Sequence, residues 1–256
     1  MTWLDSVILG IVEGITEFLP VSSTGHLILA SELLGLPSTE FLKSFEIAIQ
    51  LGAILAVVIL YWKSFLDVSI LKKIAAAFIP TAVIGLALHG VAKTYLLGNI
   101  QVVLWALALG GAALIVFELL HMEKDSAAGE VHDITYKQAI IVGLFQSIAI
   151  IPGVSRSAAT IVGGLIAGIR RVAILEFSFL LAVPVMAAAT GLDLLKSAGT
   201  FSSADFGNLA IGFIVSFIVA FFSIRFLLQY VRKHTFIPFG IYRIFIALVF
   251  FLFVVS

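Results

Sequence analysis

The sequence predicts an all-α polytopic membrane protein made of two inverted-topology repeats, each a re-entrant helical hairpin followed by three transmembrane helices. Three observations lead there. The chain is 61% hydrophobic and 12% charged over 256 residues, with a mean hydropathy of +1.18, whereas soluble domains run at about 45–50% apolar and about 25% charged. Six apolar segments approach or reach the length that crosses a bilayer, about 17–25 residues. Two further apolar regions are each interrupted near the middle by proline and small polar residues, and the order of one broken region then three spans occurs twice.

The first broken region covers about residues 5–36. Its centre, EGITEFLPVSSTGH from Glu13 to His26, lies between the apolar flanks Val7–Val12 and Leu27–Ala30. Pro20 ends the first half-helix because it lacks an N–H and clashes with the preceding turn, and a hydroxyl of the following Val-Ser-Ser-Thr-Gly is expected to cap the second. Half-helices of about 10–14 residues suit a segment that enters and returns on the same side. Irregular backbone at that depth survives only beside protein or a water-filled cavity.

Three spans follow, Phe41–Trp62, Ile70–Val91 and Ile100–Leu120, the middle one containing Pro80. Residues 1–121 then form the first repeat and 122–135 a cytoplasmic linker. The second repeat, 136–256, opens with a broken region at about 136–169, interrupted at PGVSRSAAT from Pro152 to Thr160. It continues in Val172–Leu195, Phe206–Leu228 and Phe236–Val255. At an offset near 132, Pro20 pairs with Pro152, Ser23 with Ser155 and Phe45 with Phe177, while Gly10 and Glu13 pair with Gly143 and Gln146 after a one-residue shift. Repeats of three spans each must be oppositely oriented, the plan in which broken helices meet near the bilayer midplane.

Charge gives the orientation. One side collects nine Lys and Arg (Lys63, Lys72, Lys73, Lys124, Lys137, Arg170, Arg171, Arg232 and Lys233), and the other collects Lys43, Lys93 and Lys196. Cytoplasmic loops carry the excess, so both termini are expected outside. The basic residues form no continuous face, which argues against nucleic acid as a partner. No cysteine is present, which removes disulfides, thiolate metal sites and cysteine-based phosphoryl chemistry. The N-terminus lacks a basic region and a small-residue cleavage site, so no cleaved signal peptide is expected.

An ionised side chain at bilayer depth costs about 2.5–3.5 kcal/mol, so Glu13, Glu17 and Arg156 in apolar surroundings point to function. Glu13 and Glu17, four apart on one helix face, repel unless a cation lies between them; Mg²⁺ is commonly held by one or two carboxylates plus substrate phosphates. One glutamate acting as general acid is the alternative. Ser23 and His26, three apart, are spaced to share a helix face as nucleophile and base, with a metal-bound water as the other candidate nucleophile. Arg156 offers a planar fork suited to phosphate, or an ion pair to a glutamate. Ser22, Ser155, Ser157 and Thr160 add hydroxyls near the two breaks, and Gly153 lets the chain turn. Together these are the parts for holding a metal pyrophosphate and moving a phosphoryl group. Arg225, Arg243, Glu118, Glu176 and Asp193 fall near span ends and read as snorkelling or interhelical pairs. His89, His121, His132 and His234 fall at loops.

The motifs EGITEFLPVSSTGH and PGVSRSAAT resemble the signature pair of the bacterial undecaprenyl pyrophosphate phosphatases, the family associated with bacitracin resistance. The resemblance covers nearly the whole chain, including EFSFLLAVP from Glu176 and FIPFGIYR ending at Arg243. It implies removal of the terminal phosphate of undecaprenyl pyrophosphate, giving the carrier lipid that peptidoglycan synthesis reuses. It also implies a divalent metal, Mg²⁺, and a site open to the outer face of the cytoplasmic (inner) membrane. Catalysis then falls to His26, Ser23, Glu17 and Arg156, headgroup binding to Arg156, Ser22, Ser155, Ser157, Thr160 and Gly153, and metal binding to Glu13 and Glu17. The alternative is a secondary transporter or flippase for a phosphorylated polyprenyl lipid, because inverted repeats with paired broken helices are a transporter plan. Gly110-Gly111 and Gly163-Gly164 allow close helix contacts, within one chain or in a homodimer.

Overall fold

The structure, a computed structural model, describes residues 1–96, 99–121, 127–197 and 205–254. Residues 122–126 of the expected linker, with Lys124, and Val255 of the last expected span lie outside the described residues, as do the side chains of His89, Lys93, Asp193 and Lys196.

The described residues form ten α-helices: α1 (Trp3–Thr16), α2 (Ser23–Leu33), α3 (Glu40–Leu60), α4 (Val68–Val91), α5 (Ile100–Leu120), α6 (Tyr136–Gln146), α7 (Arg156–Ile166), α8 (Arg171–Ser197), α9 (Asp205–Val231) and α10 (Ile237–Val254). Their starts follow from local chemistry. Thr2 and Asp5 make a capping box on α1, Thr135 and Gln138 make one on α6, and Thr39 and Asn99 cap α3 and α5. Each such side chain accepts from an N–H that has no intrahelical partner. The predicted all-helical class holds, and the chain is a multi-pass membrane protein: α3, α4, α5, α8 and α9 are long and apolar enough to cross a membrane. In its described part α10, the sixth expected span, is a shorter apolar helix, Ile237–Leu252.

Pro80 does not break its segment, because α4 runs through it. The neighbouring Thr81 hydroxyl lies 3.1 Å from the Ala77 carbonyl and 2.9 Å from the Gly143 carbonyl of α6, which ties the turn around the proline to another helix. His89 accordingly sits inside α4 rather than in a loop. Glu118 does behave as an interhelical partner, accepting from Arg171 Nη2 at 2.9 Å.

The two halves of the chain interleave. Helix α1 packs against α9 and α6 against α4, while α3 meets α8 and α5 meets α10. Glycines set the closest approaches: a Cβ at Gly10 would come within 2.8 Å of the Gly212 carbonyl, and one at Gly143 would overlap the Ala77 carbonyl. Both glycine doublets are used inside the chain, Gly110-Gly111 against α10 and Gly163-Gly164 against Phe145 and Ile174. The result brings the α1–α2 and α6–α7 breaks together, with the Ser157 hydroxyl at the start of α7 donating to the Phe18 carbonyl at 2.7 Å.

Overpacking of this kind costs about 1–3 kcal/mol. Gly143→Leu is therefore expected to lower the melting temperature in detergent by several degrees. Gly85→Ala, with nothing within 4 Å of its Cβ position, should leave it unchanged or raise it slightly; a Gly143→Leu protein that melts with the parent would show that α4 and α6 are not so close.

Candidate active site

Both breaks end on a serine in a backbone conformation that L residues avoid. Ser22 has φ 74° and Ser155 φ 76°, and each caps the next helix, accepting from Gly25 N–H at 3.4 Å and Ala158 N–H at 3.1 Å. Such a residue costs about 1–3 kcal/mol and persists only where its surroundings impose it. The two serines lie 133 positions apart, as do the 11-residue helices α2 and α7 that follow them. With that offset Gly10 meets Gly143 and Glu13 meets Gln146 without any shift. The counterpart of Ser155 is therefore Ser22, and Ser23 corresponds to Arg156; the one-residue slip in the sequence pairing reflects two adjacent serines of which only the first is the cap.

A cavity of about 130 Å³ lies between the breaks, lined by Glu17, Ser22, Ser23, Gly153, Ser155 and Arg156, with Gln50 and Met186 from α3 and α8. Across it, Arg156 Nη2 donates to Glu17 Oε1 at 3.2 Å while Ser23 Oγ donates to Glu17 Oε2 at 2.5 Å. Arg156 Nη1 donates to the Ser178 carbonyl of α8 at 3.0 Å. The Arg156 and Glu17 side chains are only 12% and 6% exposed, so the pair is shielded from water and its attraction is little screened. The starts of α2 and α7 both border the cavity, and helix N-termini carry partial positive charge and free N–H groups suited to an anion.

Glu13 is fully buried, lines no part of this cavity, and neither of its carboxylate oxygens has a hydrogen-bond partner. It feels the charges of Glu17, Glu46 and Arg156. No group of three or more His, Cys, Asp or Glu residues suited to a metal ion exists among the described residues, and of the two glutamates expected to hold one, Glu17 lines the cavity and Glu13 does not.

Four expected site residues have other partners. The Ser23 hydroxyl gives its proton to Glu17, not to His26. His26 lies off the cavity, with Nδ1 2.8 Å from the Ser22 carbonyl and Nε2 2.9 Å from the Tyr242 hydroxyl. Bound to a carbonyl, Nδ1 carries the proton, and Nε2 accepts from Tyr242. Ser157 is buried and donates to the Phe18 carbonyl at 2.7 Å, a tie from α7 to the first break. Thr160 is equally buried, 2.6 Å from the Ser178 hydroxyl and 2.9 Å from the Ser157 carbonyl. Gly153 does line the cavity at φ 94°, where a Cβ would come within 2.6 Å of the Val103 carbonyl.

Sequence reasoning missed Arg243, which is not at a lipid-facing span end but completely buried beside both breaks. It also passed over Ser178, Tyr242 and Gln50. Only Arg243 and Tyr242 had a local signal, the polar Tyr-Arg pair in the otherwise apolar FIPFGIYR.

The family model described as "Bacitracin resistance protein BacA" matches residues 6–249. An undecaprenyl-diphosphatase of Sulfurihydrogenibium sp. (strain YO3AOP1) is 51% identical over 252 residues, covering 98% of this chain and 99% of the relative. That of Aquifex aeolicus (strain VF5) is 52% identical over 251 residues, 98% of each. A relative of the same name from Methanococcus aeolicus is 43% identical over 256 residues, the full length of both.

Removing the partner of a buried carbonyl costs about 1–3 kcal/mol. Ser157→Ala should therefore lower the melting temperature measurably, whereas a change at a residue that only touches ligand would leave it in place; an unaltered melt would mean that Phe18 finds another donor.

Proposed function

The chain belongs to the bacitracin resistance protein BacA family, and from that premise we propose how its site hydrolyses undecaprenyl diphosphate to undecaprenyl phosphate and inorganic phosphate. The protein is a membrane phosphatase whose product is the carrier lipid returned to cell-wall synthesis, and bacitracin resistance follows from keeping that lipid in use. The observation that carries the mechanism is the linked set Ser23, Glu17 and Arg156 at the mouths of two helices.

Phosphate oxygens are held at the starts of α2 and α7 and by Arg156. Ser23 Oγ attacks the terminal phosphorus while Glu17 Oε2 takes the hydroxyl proton. The Oγ–P bond forms and the bridging P–O bond breaks, its electron pair leaving with undecaprenyl phosphate. Water then attacks the phosphoserine phosphorus, the Oγ–P bond breaks, Glu17 returns its proton to Ser23 Oγ, and inorganic phosphate is released with the serine restored. Arg156 opposes the charge that develops on the transferred group. His26 acts at one remove: it pins the carbonyl of the strained Ser22 and so fixes where Ser23 begins α2.

Glu13 and Glu17 bring two carboxyl groups against the one positive charge of Arg156, and a diphosphate brings further negative charge. The two unpartnered buried oxygens of Glu13 suit a divalent cation, Mg²⁺, held with Glu17. When bound, such an ion neutralises and orients the diphosphate.

In this reading the protein lies in the bacterial cytoplasmic membrane with six spans, both termini outside and the cavity opening to the outer face. Inverted repeats are supported by the exchange in which α1 packs on α9 and α6 on α4, and by the matching left-handed serines. The nine-to-three bias of basic residues supports the orientation. A homodimer would use apolar helix faces other than the glycine doublets, which are engaged internally.

Purified protein in detergent should release inorganic phosphate from undecaprenyl or farnesyl diphosphate, stop with EDTA and resume with Mg²⁺; a transporter would bind the lipid without consuming it. Glu17→Gln and Arg156→Ala should each lose at least about 100-fold in kcat, the scale of removing one charge stabiliser from a transition state. With substrate labelled on the terminal phosphate, acid quenching should leave label on Ser23 and none on a Ser23→Ala protein. Full turnover without labelled protein would assign the attack to water.

A further inference from the structure

We propose that Arg243 is a positioning residue that locks the two helix breaks at the spacing phosphoryl transfer requires. The proposal rests on the reading of the cavity as a phosphatase site. Arg243, on α10, is 0% exposed, and its guanidinium donates only to carbonyls. Nη1 reaches the Pro20 carbonyl at 3.4 Å, and Nη2 reaches Gly153 and Ala106 carbonyls at 3.0 Å each. One planar fork thus joins the first break, the second break and α5.

The positions of those carbonyls explain what the fork controls. Pro20 lies three residues after Glu17 and three before Ser23, and Gly153 lies three before Arg156. Carbonyls freed by a helix break have no intrahelical donor and no water within an apolar slab, so the guanidinium both satisfies them and sets the distance between them. Space is kept for it, because a Cβ at Gly110 would fall on Nη2. The preceding residue, Tyr242, bonds His26 on α2, so one turn of α10 reaches both ends of the Ser22 cap. A lysine cannot do this, since its ammonium is a single point and not a fork.

A misplacement of about 1 Å in a reacting pair costs on the order of 100-fold in rate. Arg243→Lys should therefore lower kcat for undecaprenyl diphosphate about 10- to 100-fold with KM held within about 3-fold. Gly110→Ala, which leaves the arginine in place but displaces it, should do the same. The parent chain has no cysteine, so spin labels can be placed at Leu33→Cys and Ile166→Cys, exposed positions near the ends of α2 and α7. Double electron–electron resonance should give one narrow distance in the Arg243 protein and a broadened or shifted one in either variant, while Arg225→Lys changes neither distance nor kcat. The proposal is overturned by wild-type kcat in both variants, by a kcat loss with the narrow distance intact, or by a KM rise alone. The distance needs no turnover, so a labelled Arg243 protein that releases no phosphate refutes the phosphatase reading and leaves the lock to be judged on distance.

Discussion

A helix broken inside an apolar slab leaves carbonyls and N–H groups that lipid cannot satisfy, and this chain breaks two helices at one place. Three freed carbonyls are met from another element: Ser157 of α7 serves Phe18, and Arg243 of α10 serves Pro20 and Gly153. The breaks therefore brace each other, and neither is expected to keep its shape alone. The left-handed serines are the visible sign of that constraint, since backbone of this kind exists only where the surroundings demand it.

The same arrangement explains why the charges sit where they do. A buried ion pair is weak evidence for stability, because desolvation of both groups offsets most of the attraction. Hydrophobic residues in place of Glu17 and Arg156 would fill the gap at least as well. What the pair supplies is a carboxylate held from one side by a guanidinium and presented on the other to a serine hydroxyl, with helix starts turned toward the same space. Glu13, one turn earlier on α1, adds a second carboxylate without any donor to quiet it.

Much of this was legible in the chain. Two polar interruptions in apolar sequence, each with a proline, gave the broken helices and the residues that face each other, Glu17 and Arg156 among them. The span expected at Ile70–Val91 runs through Pro80 as α4, with Thr81 bonding the turn around the proline. Ser157, Thr160 and His26 lie off the cavity, which spacing could not show, because it says which residues share a helix face and not what that face meets. The face of α7 that carries Ser157 meets the Phe18 carbonyl, 139 residues away in sequence. Arg243 carried a local signal as a polar residue in an apolar run, but its role did not: its partners come from positions 20, 106 and 153, and no local pattern joins them.

One detail of the site reaches beyond its chemistry. Arg156 Nε is buried and has no acceptor among the described residues. An incoming ligand that brings an oxygen to it removes a deficit of the native state itself. Such a ligand prefers the folded chain and shifts the unfolding equilibrium by mass action. The headgroup would then help to hold the protein together, and heat resistance would track how fully the site is loaded.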